Sequence, residues 1–234
     1  MDLAVQGDCG DVIDLLLDRG YDEASTRARR AAVAAIQEAT GYWTVAQHTA
    51  APGSVSLSDV IRTFERFLQP QDLLTLDAGS NRIWATSQLK IRTPGQLIVP
   101  GGIGGMGWGP PAAAAAKLVH PGKRVTCLVG DGGFMMTMPV LTTCVQNDLP
   151  IVVVVANNSG LGMVRDNLKA SPIAVDYADI DFARIAEGLG CKGLRVDAPG
   201  QLDDALAEAH RSGVPCVIDV TVDPESSHVQ VSHY

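Results

Sequence analysis

The sequence predicts a doubly wound α/β fold, a mainly parallel sheet with helices on both faces. Three observations predict it. The runs Val125–Val129 (VTCLV) and Ile151–Ala156 (IVVVVA) are apolar without alternation, as strands buried on both faces are. Strand-like and helix-like segments alternate over most of the chain. Asp77, Gly101, Asp131 and the pair Asn157-Asn158 each fall where a strand-like run stops. Open α/β sheets bind their ligands at those carboxyl ends.

Taken in order, Leu3–Val5 reads as a short strand and Asp11–Leu17 as a short helix. Glu23–Glu38 is a second helix, rich in Arg and Ala. Thr44–Val55 is a polar linker containing Ala, Gly and Pro. Ser58 is the expected cap of a helix Asp59–Leu68, whose Val60, Ile61, Phe64, Phe67 and Leu68 share one face. The expected strands are Leu73–Leu76, Leu97–Val99, Val125–Val129, Ile151–Ala156, Gly193–Val196 and Cys216–Val222. The expected helices between them include Pro111–Val119, Thr137–Gln146, Phe182–Leu189 and Gln201–Arg211. Residues 1–45 are therefore expected to form a helical appendage, and 46–234 the main domain.

Bulk properties exclude several classes. The net charge is −8 with no basic block, which argues against nucleic acid or an anionic membrane as the main partner. The 5 cysteines show neither CxxC spacing nor clustering with histidine, so neither zinc nor a disulfide framework is indicated. The start MDLAVQGDCGD lacks a basic region followed by a long apolar run, and no apolar stretch reaches membrane-spanning length. A cytoplasmic location is expected. The five histidines fit surface positions better than catalytic ones.

The chemistry concentrates in Gly130-Asp131-Gly132-Gly133 and Asn157-Asn158. Asp131 and Asn158 lie 27 residues apart. Two neighbouring parallel strands joined by one crossover would bring both to the same sheet edge. A carboxylate, an amide oxygen and nearby carbonyls make a hard oxygen cage suited to Mg2+, which completes its octahedron with phosphate oxygens and water. The glycines let backbone N–H groups approach a phosphate.

The segment GDGGFMMTMPVLTTCVQNDLPIVVVVANNSGLGMV closely resembles the thiamine-diphosphate (ThDP) signature, in particular that of the acetohydroxyacid synthase and pyruvate oxidase branch. Pro100–Ala112 (PGGIGGMGWGPPA) looks like the family's glycine-rich segment, and Asp77–Trp84 (DAGSNRIW) like the earlier loop that touches the diphosphate. The resemblance runs from about Ser56 to Pro224. It implies Asp131, Asn158 and the Gly160 carbonyl as Mg2+ ligands, and Gly132 and Gly133 as diphosphate donors. Ser80 and Asn81 match diphosphate-contact positions, with a helix N-cap as the alternative. Met106 matches the apolar wedge that bends the cofactor, a task suited to a bulky and adaptable side chain. The Gly104 carbonyl and the Met106 N–H map to contacts with the aminopyrimidine, with Gly105 between them. Gly162, Met163 and Val164 extend the match along the cofactor.

One departure follows. Acetohydroxyacid synthases carry a Trp near the position of Asn167, so loss of that Trp puts acetolactate synthesis in doubt and implies a wider or more polar pocket. Arg165 could meet a substrate carboxylate or simply be solvated. The family's activating glutamate belongs to a pyrimidine-binding domain that this length does not accommodate. Glu23, Glu38 and Glu65 do not match its motif. The resemblance therefore implies a split enzyme: a second chain supplies that glutamate, residues 1–45 are a remnant of a middle domain, and the assembly is an α2β2 heterotetramer acting on a 2-oxo acid. Relatives that bind FAD use the middle domain, almost absent here, and whether FAD binds stays open. The alternatives are a split decarboxylase of the sulfopyruvate or phosphonopyruvate type, and an NAD-binding dehydrogenase reading Gly102–Gly107 as GxGxxG.

Overall fold

The computed structural model describes residues 5–20, 22–40, 48–168 and 173–231. The chain divides into two compact units, Met1–Thr44 and Val45–Tyr234. The smaller holds α1 (Cys9–Asp18) and α2 (Glu23–Thr40). Asp8 caps α1 by accepting the Gly10 N–H at 2.8 Å, and neither helix buries a residue. Of the strand expected at Leu3–Val5, only Val5 lies among the described residues, and it is in no strand.

The larger unit carries six strands: β1 (Leu73–Leu76), β2 (Leu97–Ile98), β3 (Val125–Gly130), β4 (Ile151–Asn157), β5 (Lys192–Val196) and β6 (Cys216–Thr221). All pairings are parallel, in the order β2-β1-β3-β4-β6-β5. Among its helices α3 (Leu57–Phe67), α4 (Ser80–Gln88) and α10 (Gln201–Ser212) cover one face. Helices α5 (Gly109–Val119), α6 (Asp131–Thr137), α7 (Val140–Gln146) and α9 (Phe182–Gly188) cover the other. The short α8 (Gly162–Asn167) follows β4. This is the doubly wound fold expected.

The unalternating apolar run in β4 has the predicted cause. Val152, Val154 and Ala156 join the core on one face, and Ile151, Val153 and Val155 the core on the other. Each fully buried valine of this kind contributes about 1.5–3 kcal/mol of burial free energy. The chain runs from β1 outward to β2, then crosses back to β3 on the other side of β1. The strand order thus reverses between β1 and β3, and that switch point opens a crevice at their carboxyl ends. Gly130 pairs in register with Ala156, which sets Asp131 beside Asn157 and Asn158.

Three local expectations are corrected. The cap of α3 is Ser56, not Ser58: its hydroxyl accepts the Asp59 N–H at 3.1 Å, while Ser58 is buried inside the helix with its Oγ 2.7 Å from that of Ser56. The helix expected at Thr137–Gln146 starts only at Val140, and a separate helix precedes it. That preceding helix starts at Asp131, and Pro139, which has no N–H, occupies the N-cap of the later one. Helix α8 is not among the expected elements, and α4 is implied only by the N-cap alternative for Ser80-Asn81, because Ser, Asn, Thr and Gly lower helix propensity in SNRIWATSQ and GMVRDN.

Candidate functional site

The crevice between β1 and β3 is a cleft of about 150 Å³ lined by Ser80, Asn81, Met106, Asp131, Asn158 and Gly160, among others. Three elements begin at its wall: α4 at Ser80, α6 at Asp131 and α8 at Gly162. Their first turns offer N–H groups without intrahelical partners, a setting that favours anions.

Asp131 stands at the centre and is 2% exposed. Its Oδ1 accepts the Gly132 N–H at 2.7 Å, and its Oδ2 accepts the Gly160 N–H at 2.9 Å. Burial pushes this carboxyl up to about 6, against N–H groups of Gly160, Gly132 and Asn158 and the Arg165 charge, which pull it down. The folded chain therefore holds this proton more firmly than the unfolded chain does. The group favours the fold most below its ordinary value of 3.8, and that contribution is lost as pH rises through 6. At neutral pH the ionised carboxylate in the ligand-free cleft costs about 3 kcal/mol. A cation beside it would reverse the balance. Mg2+ affinity is therefore expected to fall as pH drops below about 6. Binding near that pH should release a fraction of a proton, seen as a calorimetric enthalpy that varies with buffer ionisation heat.

The remaining donors are oxygens or N–H groups. The Asn158 carboxamide lies over Gly162, where a Cβ would stand 2.5 Å from Nδ2. The Gly160 carbonyl accepts the Gly162 N–H at 3.0 Å in the ligand-free chain. Among the described residues no group of three or more His, Cys, Asp or Glu could hold a metal. A cation here must draw on one carboxylate, an amide oxygen, a carbonyl and its ligand's own oxygens, the hard set that suits Mg2+. The Ser80 Oγ is buried at the same wall without a hydrogen-bond partner, an orphan that a phosphate oxygen would satisfy. The residues present fit a magnesium diphosphate.

Asn81 plays a different part from Ser80. Its amide donates to the Asp77 and Leu128 carbonyls at 3.4 and 3.3 Å, tying β1 to β3 beneath the cleft. Neither residue caps α4, whose N-cap is Gly79 with φ 126°. Asn157 is likewise structural, donating to Asp219 Oδ1 and to the Ile180 carbonyl, each at 3.0 Å. Met106 lies where the cleft meets a second, apolar groove lined by Trp108, Pro111, Ala112, Ala115 and Val119. Gly105 lines only that groove, and Gly104, at φ 70°, lies near Arg82. Gly162, Met163 and Val164 form the opposite wall. Arg165 pairs with Asp176 through Nε at 2.7 Å, so its guanidinium is already engaged. Asn167 donates to the Met163 carbonyl of its own helix at 2.9 Å.

Two residues carry more than their sequence context announces. Asp77 is fully buried, and accepts the Gly107 N–H on Oδ2 at 2.9 Å and the Gly109 N–H on Oδ1 at 3.0 Å. It anchors the loop that presents Met106 rather than facing the cleft. Tyr177 sits beside Gly132, and nothing in the spacing of VDYADID flags it.

Residues 77–220 match the family model described as thiamine pyrophosphate enzyme, C-terminal TPP binding domain. A probable acetolactate synthase large subunit of Methanococcus aeolicus is 36% identical over 160 residues, covering 66% of this chain and 27% of that protein. An acetolactate synthase of Bacillus subtilis is 35% identical over 168 residues, covering 70% and 30%. The chain thus spans less than a third of the length of these relatives. A thiamine diphosphate-dependent 4-hydroxybenzoylformate decarboxylase of Rhodococcus jostii RHA1 shares the fold, with a TM-score of 0.70 at 24% identity over 76% of this chain and 34% of that one. No helix among the described residues is long and apolar enough to cross a membrane.

Proposed function

Because this chain belongs to the thiamine pyrophosphate enzyme family, in its acetohydroxyacid synthase and pyruvate oxidase-like branch, and carries that family's C-terminal TPP-binding domain, we propose that it is the diphosphate- and Mg2+-binding part of a 2-oxo acid decarboxylase or carboligase. A second chain with the pyrimidine-binding domain completes it, in an α2β2 assembly within the cytoplasm. The observation that carries this reading is one cleft holding buried Asp131, the orphaned Ser80 hydroxyl, Asn158 and Gly160 together. The dinucleotide reading of Gly102–Gly107 gives way to the family assignment.

When bound, thiamine diphosphate supplies an electron sink for decarboxylation of a 2-oxo acid. This chain's residues hold and orient it. Asp131, the Asn158 amide oxygen and the Gly160 carbonyl bind the cation. Ser80 and the N–H groups of Gly132 and Gly133 bind the diphosphate. Met106 supports the cofactor rings, and Gly104 and Gly105 place backbone at the aminopyrimidine. Gly162, Met163 and Val164 close the far side. In this reading the activating glutamate comes from the second chain.

Asn167 favours a variant of this reading. A short side chain bonded to its own helix builds no aromatic wall for an acceptor substrate. Decarboxylation without ligation then competes with acetolactate-type synthesis. The test is a panel of 2-oxo acids offered to the assembled enzyme, scoring CO2 release and coupled product separately. Loss of both with every acid, under saturating cofactor, would sink the proposal. Met106→Ala is expected to lower turnover about 10- to 100-fold, while diphosphate affinity stays within a few fold. Equal losses in both would place Met106 in binding rather than in orientation.

A further inference from the structure

The Tyr177 hydroxyl stands at the Gly132 edge of the cleft with no assigned task. The segment that carries it is folded back over the 158–161 loop by two backbone hydrogen bonds, which together make one antiparallel bridge, and is tied to the following helix by one ion pair. Tyr177 N–H donates to the Ser159 carbonyl at 2.8 Å, and Leu161 N–H to the Val175 carbonyl at 2.7 Å. Gly160 and Asp176 form an antiparallel bridge, and Asp176 receives Arg165. The tyrosine's position is thus set by the same loop that offers Asn158 and Gly160 to a cation.

The approach to the cleft is close. A Cβ built on Gly132 would stand 3.0 Å from the Tyr177 Oη, 3.1 Å from the Met106 Cε and 2.6 Å from the Leu161 Cδ2. The hydroxyl is therefore the polar atom among two apolar neighbours at that edge. It makes no hydrogen bond among the described residues. A phenol is both donor and acceptor, so it can donate to an anionic ligand oxygen. Ser80 brings the second unpartnered hydroxyl to this site, from α4.

We propose that the Tyr177 hydroxyl is part of the diphosphate cradle, donating a hydrogen bond to an anionic phosphate oxygen at the Gly132 edge. A phenol is protonated at neutral pH and so available to donate. This inference rests on the diphosphate reading of the cleft and adds a residue to it.

The experiment titrates the full chain with magnesium pyrophosphate by calorimetry. Every group invoked here lies on this chain, so that probe needs no second chain. Wild type, Tyr177→Phe and Asp131→Ala are compared, and ligand-free thermal unfolding is recorded for each. Tyr177→Phe keeps the ring and removes only the hydroxyl that stands beside Gly132. Its affinity is expected to drop about 5- to 30-fold with an unchanged ligand-free Tm, while Asp131→Ala abolishes binding. Wild-type affinity in Tyr177→Phe, with binding lost in Asp131→Ala, would overturn the inference and leave the site reading intact. A lower ligand-free Tm accompanying the affinity loss would make Tyr177 a structural residue and also overturn it. No pyrophosphate binding by the wild type would overturn both.

Discussion

Asp131→Ala is expected to weaken magnesium diphosphate binding by about 100-fold or more. Removing even the outer partners of a metal ligand costs 10- to 100-fold, and Asp131 is the only carboxylate the cleft offers to a cation among its lining residues. The same residue should show the opposite effect on the empty protein. Its carboxyl is pushed up to about 6 by burial, so at pH 8 the fold carries an ionised group that it would rather hold neutral. Asp131→Asn approximates the protonated form without the charge. Its ligand-free Tm at pH 8 is expected to exceed wild type by about 5 °C or more, with the gap closing toward pH 4. A calorimetric scan of both proteins across that range checks it. Equal Tm values at pH 8 would show that the carboxylate is not strained in the empty cleft. Function and stability are opposed at this residue, the pattern expected where a site is arranged for a ligand it does not yet hold.

Gly133→Ala is expected to destabilise the larger unit by about 3 kcal/mol or more, an overpacking change with no room to relax. The added methyl would fall on the Asp77 Oδ2. Asp77 cannot retreat without releasing the Gly107 and Gly109 N–H groups, both of which it satisfies in a buried setting. Asp77→Ala leaves those two donors unpaired and is expected to cost about 2–4 kcal/mol by that route. For a unit of this size either change corresponds to a Tm loss of about 5–15 °C. Both should also disturb the loop that presents Met106. Thermal unfolding of Gly133→Ala, Asp77→Ala and the double variant separates the two effects. If the steric contact acts only through Asp77, the double variant is less damaged than the sum of the singles. Additive losses would locate the clash elsewhere.

Much of this architecture is legible in the sequence because burial on both faces leaves a mark. VTCLV and IVVVVA are unbroken by polar residues, and their carboxyl ends carry Asp131 and Asn158 at a spacing that one crossover explains. What the sequence does not announce is local and depends on tertiary contacts. Ser56 and Ser58 are equally good caps by composition, and only the path of the chain into α3 selects Ser56. Gly132 and Gly133 hide the start of α6, because residues chosen to let backbone approach a ligand are poor helix formers. Asp77 reads as a ligand-facing residue at a strand end, yet folding of the 104–109 loop over it turns its carboxylate inward. Tyr177 is reached through a long-range fold-back onto the 158–161 loop that no periodicity records.

The most direct test of the central claim is calorimetric titration of Mg2+ and thiamine diphosphate into this chain together with a chain that bears the pyrimidine-binding domain, with each chain alone and Asp131→Ala as controls. The account predicts tight, Mg2+-dependent binding by the pair, weaker binding by this chain alone, and none when Asp131 is alanine. Absence of binding in every combination, or binding that survives Asp131→Ala unchanged, would contradict it.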